Sequence, residues 1–74
     1  MSRIVIETLA EIDAPKTERH GRFCAGVVLW DDKVVEVAPI VRFMKGWSRD
    51  NVRRHCVRKG WAISVVTETK RSVG

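Results

Sequence analysis

Residues 22–39, RFCAGVVLWDDKVVEVAP, decide the fold. Phe23–Trp30 and Lys33–Val37 read as two strands, and Asp31-Asp32 between them reads as a tight turn. Aspartate suits such a turn because it tolerates positive φ and bonds its own backbone. With a period of two, Phe23, Ala25, Val27 and Leu29 share one face, and Cys24, Gly26, Val28 and Trp30 share the other. Both faces are largely apolar, so this strand is expected inside a sheet or under a second cover. In the next strand Val35 and Val37 are expected on one side, Val34 and Glu36 on the other. Gly26 predicts a bulge or a close approach by another element.

Downstream lies Pro39–Gly60, PIVRFMKGWSRDNVRRHCVRKG. Pro39 fits a first helical position, and Ile40, Val41, Phe43 and Met44 predict a short helix over 39–45 with a wide apolar side. Gly46 can end it in a left-handed conformation. Ser48 is then the N-cap of a second helix over 49–59, with Asp50 at the positive end of the helix dipole and Gly60 as terminator. Trp47 and Val52 have the spacing of a hydrophobic staple. At 100° per residue Val52 and Cys56 face inward, while Asn51, Arg54 and Arg58 form an outer ridge and Arg49 and Arg53 line one flank.

Working outward, RIVIETLAEI (residues 3–12) predicts a first strand over residues 3–10. DAPKTERHG, residues 13–21, predicts a surface loop. WAISVVTE, residues 61–68, predicts a fourth strand, and residues 70–74 a frayed tail. The expected architecture is therefore α+β, one domain over residues 1–74. A small, mostly antiparallel four-stranded sheet in the order β-β-β-α-α-β carries its helices on one face. Val5, Val28 and Trp30 on the other face would form an apolar patch, for which a homodimer is one cover.

The chain has 14 Lys and Arg against nine Asp and Glu, a net charge of +5. Residues 39–60 alone hold seven cations and one acid, so the positive field belongs to the helices. No apolar run approaches the roughly 20 residues of a membrane span. The acidic N-terminal stretch MSRIVIETLAEID is unlike a signal peptide, so a cytoplasmic protein is expected. Two cysteines are too few for a disulfide scaffold, and buried free thiols are expected at Cys24 and Cys56, although one bridge between them stays open.

Several chemistries can be weighed. The helix–Gly46–helix outline resembles a helix-turn-helix, with Trp47 and Val52 well placed. Arg42, however, stands where a small residue is wanted, and Lys45 and His55 where apolar ones are. His20, Cys24, His55 and Cys56 are zinc-ligand types, but the first two run from loop into strand. The last two diverge by about 100° on a helix, so no metal or cofactor is expected. The same divergence argues against a Cys56/His55 nucleophile pair, and no catalytic residue is assigned. What remains is a binding surface of Arg42, Lys45, Trp47, Arg49, Arg53, Arg54 and Arg58. These residue types neutralise phosphates, stack on unpaired bases and anchor protein interfaces.

VVEVAPIVRFMKGWSRDNVRRHCVRKGWAISVV, residues 34–66, resembles small orphan proteins of phages and prophages of proteobacteria. The shared look is a strand, an AP-I-x-R-F/W-M-x-G-W segment, a basic helix and K-G-W before a last strand. The resemblance carries over no site residue. It implies an accessory phage protein in a bacterial host, such as an anti-CRISPR protein that inhibits a host nucleoprotein complex by occupying it. A host protein or a protein–nucleic-acid complex would then be the partner. Many anti-CRISPR proteins are acidic DNA mimics, and a basic helix departs from that pattern. The alternative is a small nucleic-acid-binding protein or regulator that places the same arginines on the phosphates of DNA or RNA.

Overall fold

Asp31 and Asp32 both adopt positive φ, 51° and 65°, and turn β2 (Phe23–Trp30) tightly into β3 (Lys33–Val37). The computed structural model describes residues 2–74. The chain begins with β1 (Arg3–Ala14). After β3 it continues through a 3-10 helix (Pro39–Met44), α1 (Arg49–Lys59) and β4 (Ala62–Val73). The sheet is antiparallel throughout, in the order β3-β2-β1-β4, so β2 is an inner strand as its two apolar faces require. The α+β class and the helices on one face are as the sequence indicates.

Ala25, Val27 and Leu29 of β2 are buried together with Ala10 and Ile12 of β1. Val41 and Met44 of the 3-10 helix and Val52 and Cys56 of α1 close over them. This core lies under the helices at one end of the sheet. Past Glu7, which pairs with Trp30, the turn residue Asp31 still holds Ile6, accepting from its N at 2.9 Å and donating to its carbonyl at 3.0 Å, and the strand paired with Arg3–Ile6 is β4, through Lys70–Val73. The molecule is accordingly long, 49 × 20 × 19 Å.

Several expectations need correction. The first strand does not stop at Ala10: Ala14 is fully buried, so the loop after β1 begins at Pro15 rather than at residue 13. The segment 70–74 is not a frayed tail, because Lys70–Val73 supply the hydrogen-bonding partners of the first residues of β1. Val34 and Val37 do not lie on opposite faces. The register shifts so that Leu29 faces Val34 and Val28 faces Glu36, leaving Val35 as a bulge and both Val34 and Val37 on the core side. The bulge expected at Gly26 therefore sits in the neighbouring strand. No element closes on Gly26 either, since a Cβ there would meet nothing within 4 Å. The short helix is a 3-10 helix ending at Met44, kinked at Val41, rather than a helix over 39–45.

Among the described residues, Val5, Val28 and Trp30 do not form the exposed apolar patch expected on the outer sheet face. Val5 is fully buried there, and Trp30 and Val28 are half-buried. The indole of Trp30 donates to Glu7 at 2.9 Å, and Arg71, opposite Val5 in the ladder, donates to the same carboxylate. Cys24 is exposed on this face, contrary to the buried thiol expected, and Cys56 is in the core. Both are free.

Candidate nucleic-acid interface

The segment joining the two helices is tied to the sheet by its backbone. Gly46, at φ 87°, donates to the carbonyl of Val34 at 2.9 Å, and Val34 donates to the carbonyl of Trp47 at 2.9 Å. Lys33 and Ser48 form an isolated bridge, and Arg49 N donates to Asp32 O at 2.8 Å. The outer edge of β3 is thereby occupied. Ser48 caps α1, its hydroxyl accepting from Asn51 N at 3.2 Å, and Gly60 closes the helix at φ 75°.

This anchoring sets Trp47 into a row of rings. Phe43 and Trp47 meet edge to face with centroids 5.6 Å apart, and His55 touches both, at 5.3 and 5.5 Å. His55 also meets Trp61 at 5.3 Å, Trp61 meets Phe23 at 5.4 Å, and Phe23 meets His20 at 5.5 Å. Six rings from β2, its preceding loop, both helices, the segment between them and the segment after α1 form one connected row. Edge-to-face contacts of this kind place the positive rim of one ring against the negative face of the next. Trp47, His55 and Trp61 are half-buried, while Phe43 is 47% exposed.

His55 is the hub of the row. Its Nδ1 lies 3.0 Å from Nη2 of Arg58. A guanidinium can only donate, so Nδ1 accepts and the neutral ring carries its proton on Nε2. Burial first, then the charges of Arg58 and Lys59, push the imidazole pKa below its ordinary 6.5. The ring is thus held neutral among cations.

The seven cations of the helical segments divide into two groups. Arg49 is turned to Asp32 (3.2 Å) and Glu68 (3.6 Å), and Arg54 to Asp50 (3.2 Å). Among the described residues, Arg42, Lys45, Arg53, Arg58 and Lys59 have no acidic partner within 4.0 Å. Arg58 contacts the hub ring, Lys59 lines a groove with Trp61 and His20, and Arg42 and Lys45 flank Phe43 in the chain. Arg53, Arg54 and Arg58 line a shallow groove around Val57, whose side chain is 72% exposed.

Of the residues singled out from the sequence, the fold thus joins Trp47 to the rings and leaves Arg42, Lys45, Arg53 and Arg58 unneutralised. It commits Arg49 and Arg54 to partners within the chain. The sequence reading missed Phe43, His55 and Val57 as surface elements and Lys59 as one of the unneutralised cations. For His55 a signal existed, since Phe43, Trp47 and His55 recur every four or eight residues. The join to Phe23 and His20 has no sequence signature. Cys56 lies in the core while His55 sits in the aromatic row, so the two are not placed as a thiol and its base. Among the described residues no three His, Cys, Asp or Glu cluster as metal ligands would, and no helix is long and apolar enough to cross a membrane.

No protein-family model matches the chain, and neither a curated protein nor a solved structure matches it.

Proposed function

We propose that this chain is a non-catalytic binding protein that takes nucleic acid on its helical layer. Arg42, Lys45, Arg53, Arg58 and Lys59 would receive backbone phosphates, and Phe43 with the half-buried Trp47 and Trp61 would receive unpaired bases. The observation that carries this reading is a connected row of rings in the same layer as five unneutralised cations, of which Arg58 lies 3.0 Å from the hub ring His55 and Lys59 shares a groove with Trp61 and His20. An ordinary solvated helix face interleaves acids with its bases, and here α1 contributes Asp50 alone. Single-strand sites combine these two ingredients, a positive track for the backbone and aromatic platforms for bases.

Titration against labelled single- and double-stranded oligonucleotides over a salt series tests the proposal. With all five cations engaged on a single strand, the logarithm of the association constant should fall with that of salt at a slope of roughly −3 to −4. Arg53→Glu combined with Arg58→Glu should abolish binding while leaving the fold intact. A salt-independent titration, or no binding even at low salt, overturns the reading.

A second reading rests on its own observation. Val57 and Phe43 are exposed apolar side chains set among the cations, the arrangement of an anchored protein interface. In that reading the same surface docks on a host nucleoprotein complex, as an anti-CRISPR-like inhibitor of phage type. Binding would then depend on Val57, Phe43 and Trp47 more than on salt. Capture of an assembled effector, lost in Val57→Asp and retained at high salt, would favour it over direct nucleic-acid binding.

A further inference from the structure

The two edges of this sheet are not equivalent. The edge of β3 is occupied by backbone bonds to residues 46–49, whereas β4 presents 12 residues with no strand beyond it among the described residues. All but Ile63 and Val73 of β4 are exposed. Long open edges are normally blunted by charge, and β4 carries Glu68, Lys70 and Arg71. Their order makes the edge selective instead of blocked.

We propose that β4 pairs antiparallel with β4 of a second copy of this chain, centred on Thr69. Side-by-side antiparallel pairing of identical strands requires a two-fold axis perpendicular to the sheet, because residues directly opposite one another share a face. One residue must therefore sit opposite itself. Centring on Glu68, Lys70 or Arg71 sets like charges against each other. Centring on Thr69 sets Glu68 opposite Lys70 of the second copy, twice, with a threonine pair on the axis and Thr67 opposite Arg71.

The local structure suits this register. Val66 is the bulged residue of β4, since Leu9 faces Thr67 and Ala10 faces Val65, so the regular stretch is Thr67–Val73. Glu68 Oε1 accepts from Thr8 at 3.3 Å and lies 3.6 Å from Arg49, which leaves Oε2 for an incoming ammonium. Lys70 has no acidic partner among the described residues. The perpendicular axis has a consequence for the helices. The two sheets join into one of eight strands, with both basic helical layers on the same side.

The test is the mass of the full chain in solution, without nucleic acid, by light scattering or sedimentation. The wild type should show a dimer mass that dissociates on dilution. Lys70→Glu opposes two pairs of acids and Glu68→Lys two pairs of bases, so each variant alone should have the mass of one chain. Mixing the two restores both opposite-charge pairs, and the mixture should recover the dimer. Circular dichroism confirms that each variant is folded, and Lys70→Glu removes no ion pair among the described residues. A wild type of single-chain mass at every accessible concentration overturns the proposal, as do variants that stay dimeric. Variants that dissociate but do not recover on mixing overturn this register. None of these outcomes depends on whether the helical layer binds nucleic acid.

Discussion

Trp30 and Arg71, on strands that flank β1 from opposite sides, donate to the same oxygen of Glu7, each at 2.9 Å. The fully buried Val5 lies on that face, two residues from Glu7. A single carboxylate thus ties β2, β1 and β4 together. Hydrogen bonds from Trp30 and then Arg71 hold its pKa below the ordinary 4.5.

A depressed carboxyl contributes stability above its unfolded value, and that contribution is lost as pH falls through the folded value. Urea midpoints should therefore decline below about pH 4.5 with a component that Glu7→Gln removes, because the amide still accepts a hydrogen bond but does not titrate. Glu7→Ala should lower the midpoint at neutral pH as well. An unchanged midpoint in Glu7→Ala would mean that the clamp is not used.

His55 predicts a second pH effect. Its folded pKa lies below 6.5, so in acid the unfolded chain takes up a proton that the folded chain refuses. Stability should fall as pH drops from about 6.5 through the folded value, and His55→Phe should flatten that part of the profile while keeping a ring in the row. Proton NMR of the His55 ring should show a midpoint below 6.5. A midpoint above it would contradict the burial and the adjacent cations.

The helix and the core make contrasting predictions. Ser48→Ala removes the cap of α1 and should cost about 1 kcal/mol. Leu29→Ala, at a fully buried site, should cost roughly 2–5 kcal/mol. Val57→Ala should stay within about 0.5 kcal/mol, because that side chain is exposed. Chemical denaturation of the three variants checks the ordering, and a large loss in Val57→Ala would place that residue in a packed contact.

The thiols should differ in reactivity. Partial desolvation and the neighbouring Asp13 and Glu11 raise the pKa of the exposed Cys24 above 9.0, and burial raises that of Cys56. In the native protein iodoacetamide should modify exposed Cys24, more slowly than a free thiol, and leave Cys56 intact until unfolding. Mass spectrometry of a time course reads both rates. Early labelling of Cys56 would show that the core opens at α1.

Much of the fold was legible in local chemistry. The two aspartates marked the turn through their tolerance of positive φ, Pro39, Gly46, Ser48 and Gly60 punctuated the helices, and alternation in β2 identified the core face. These signals act within a few residues, so no tertiary context was needed. The concentration of cations on residues 39–60 was legible for the same reason.

The rest was decided by pairing across the chain. That β1 reaches Ala14 follows from its pairing with Phe23 of β2, and that β4 reaches Val73 from its pairing with Arg3 of β1, although neither end alternates clearly enough to declare itself. The bulge at Val35 turns two valines onto one face, which a strict period of two forbids. Which arginines remain uncompensated depended on where Asp32 and Glu68 arrive from the sheet, and the row of rings needed Phe23 and His20 to meet Trp61. Sequence alone determined the elements and the charge of the helical layer, since propensity and capping are short-range. Strand lengths, the burial of Val5 and the free cations were left to tertiary structure, because hydrogen-bond partners and counter-charges come from residues far apart in the chain.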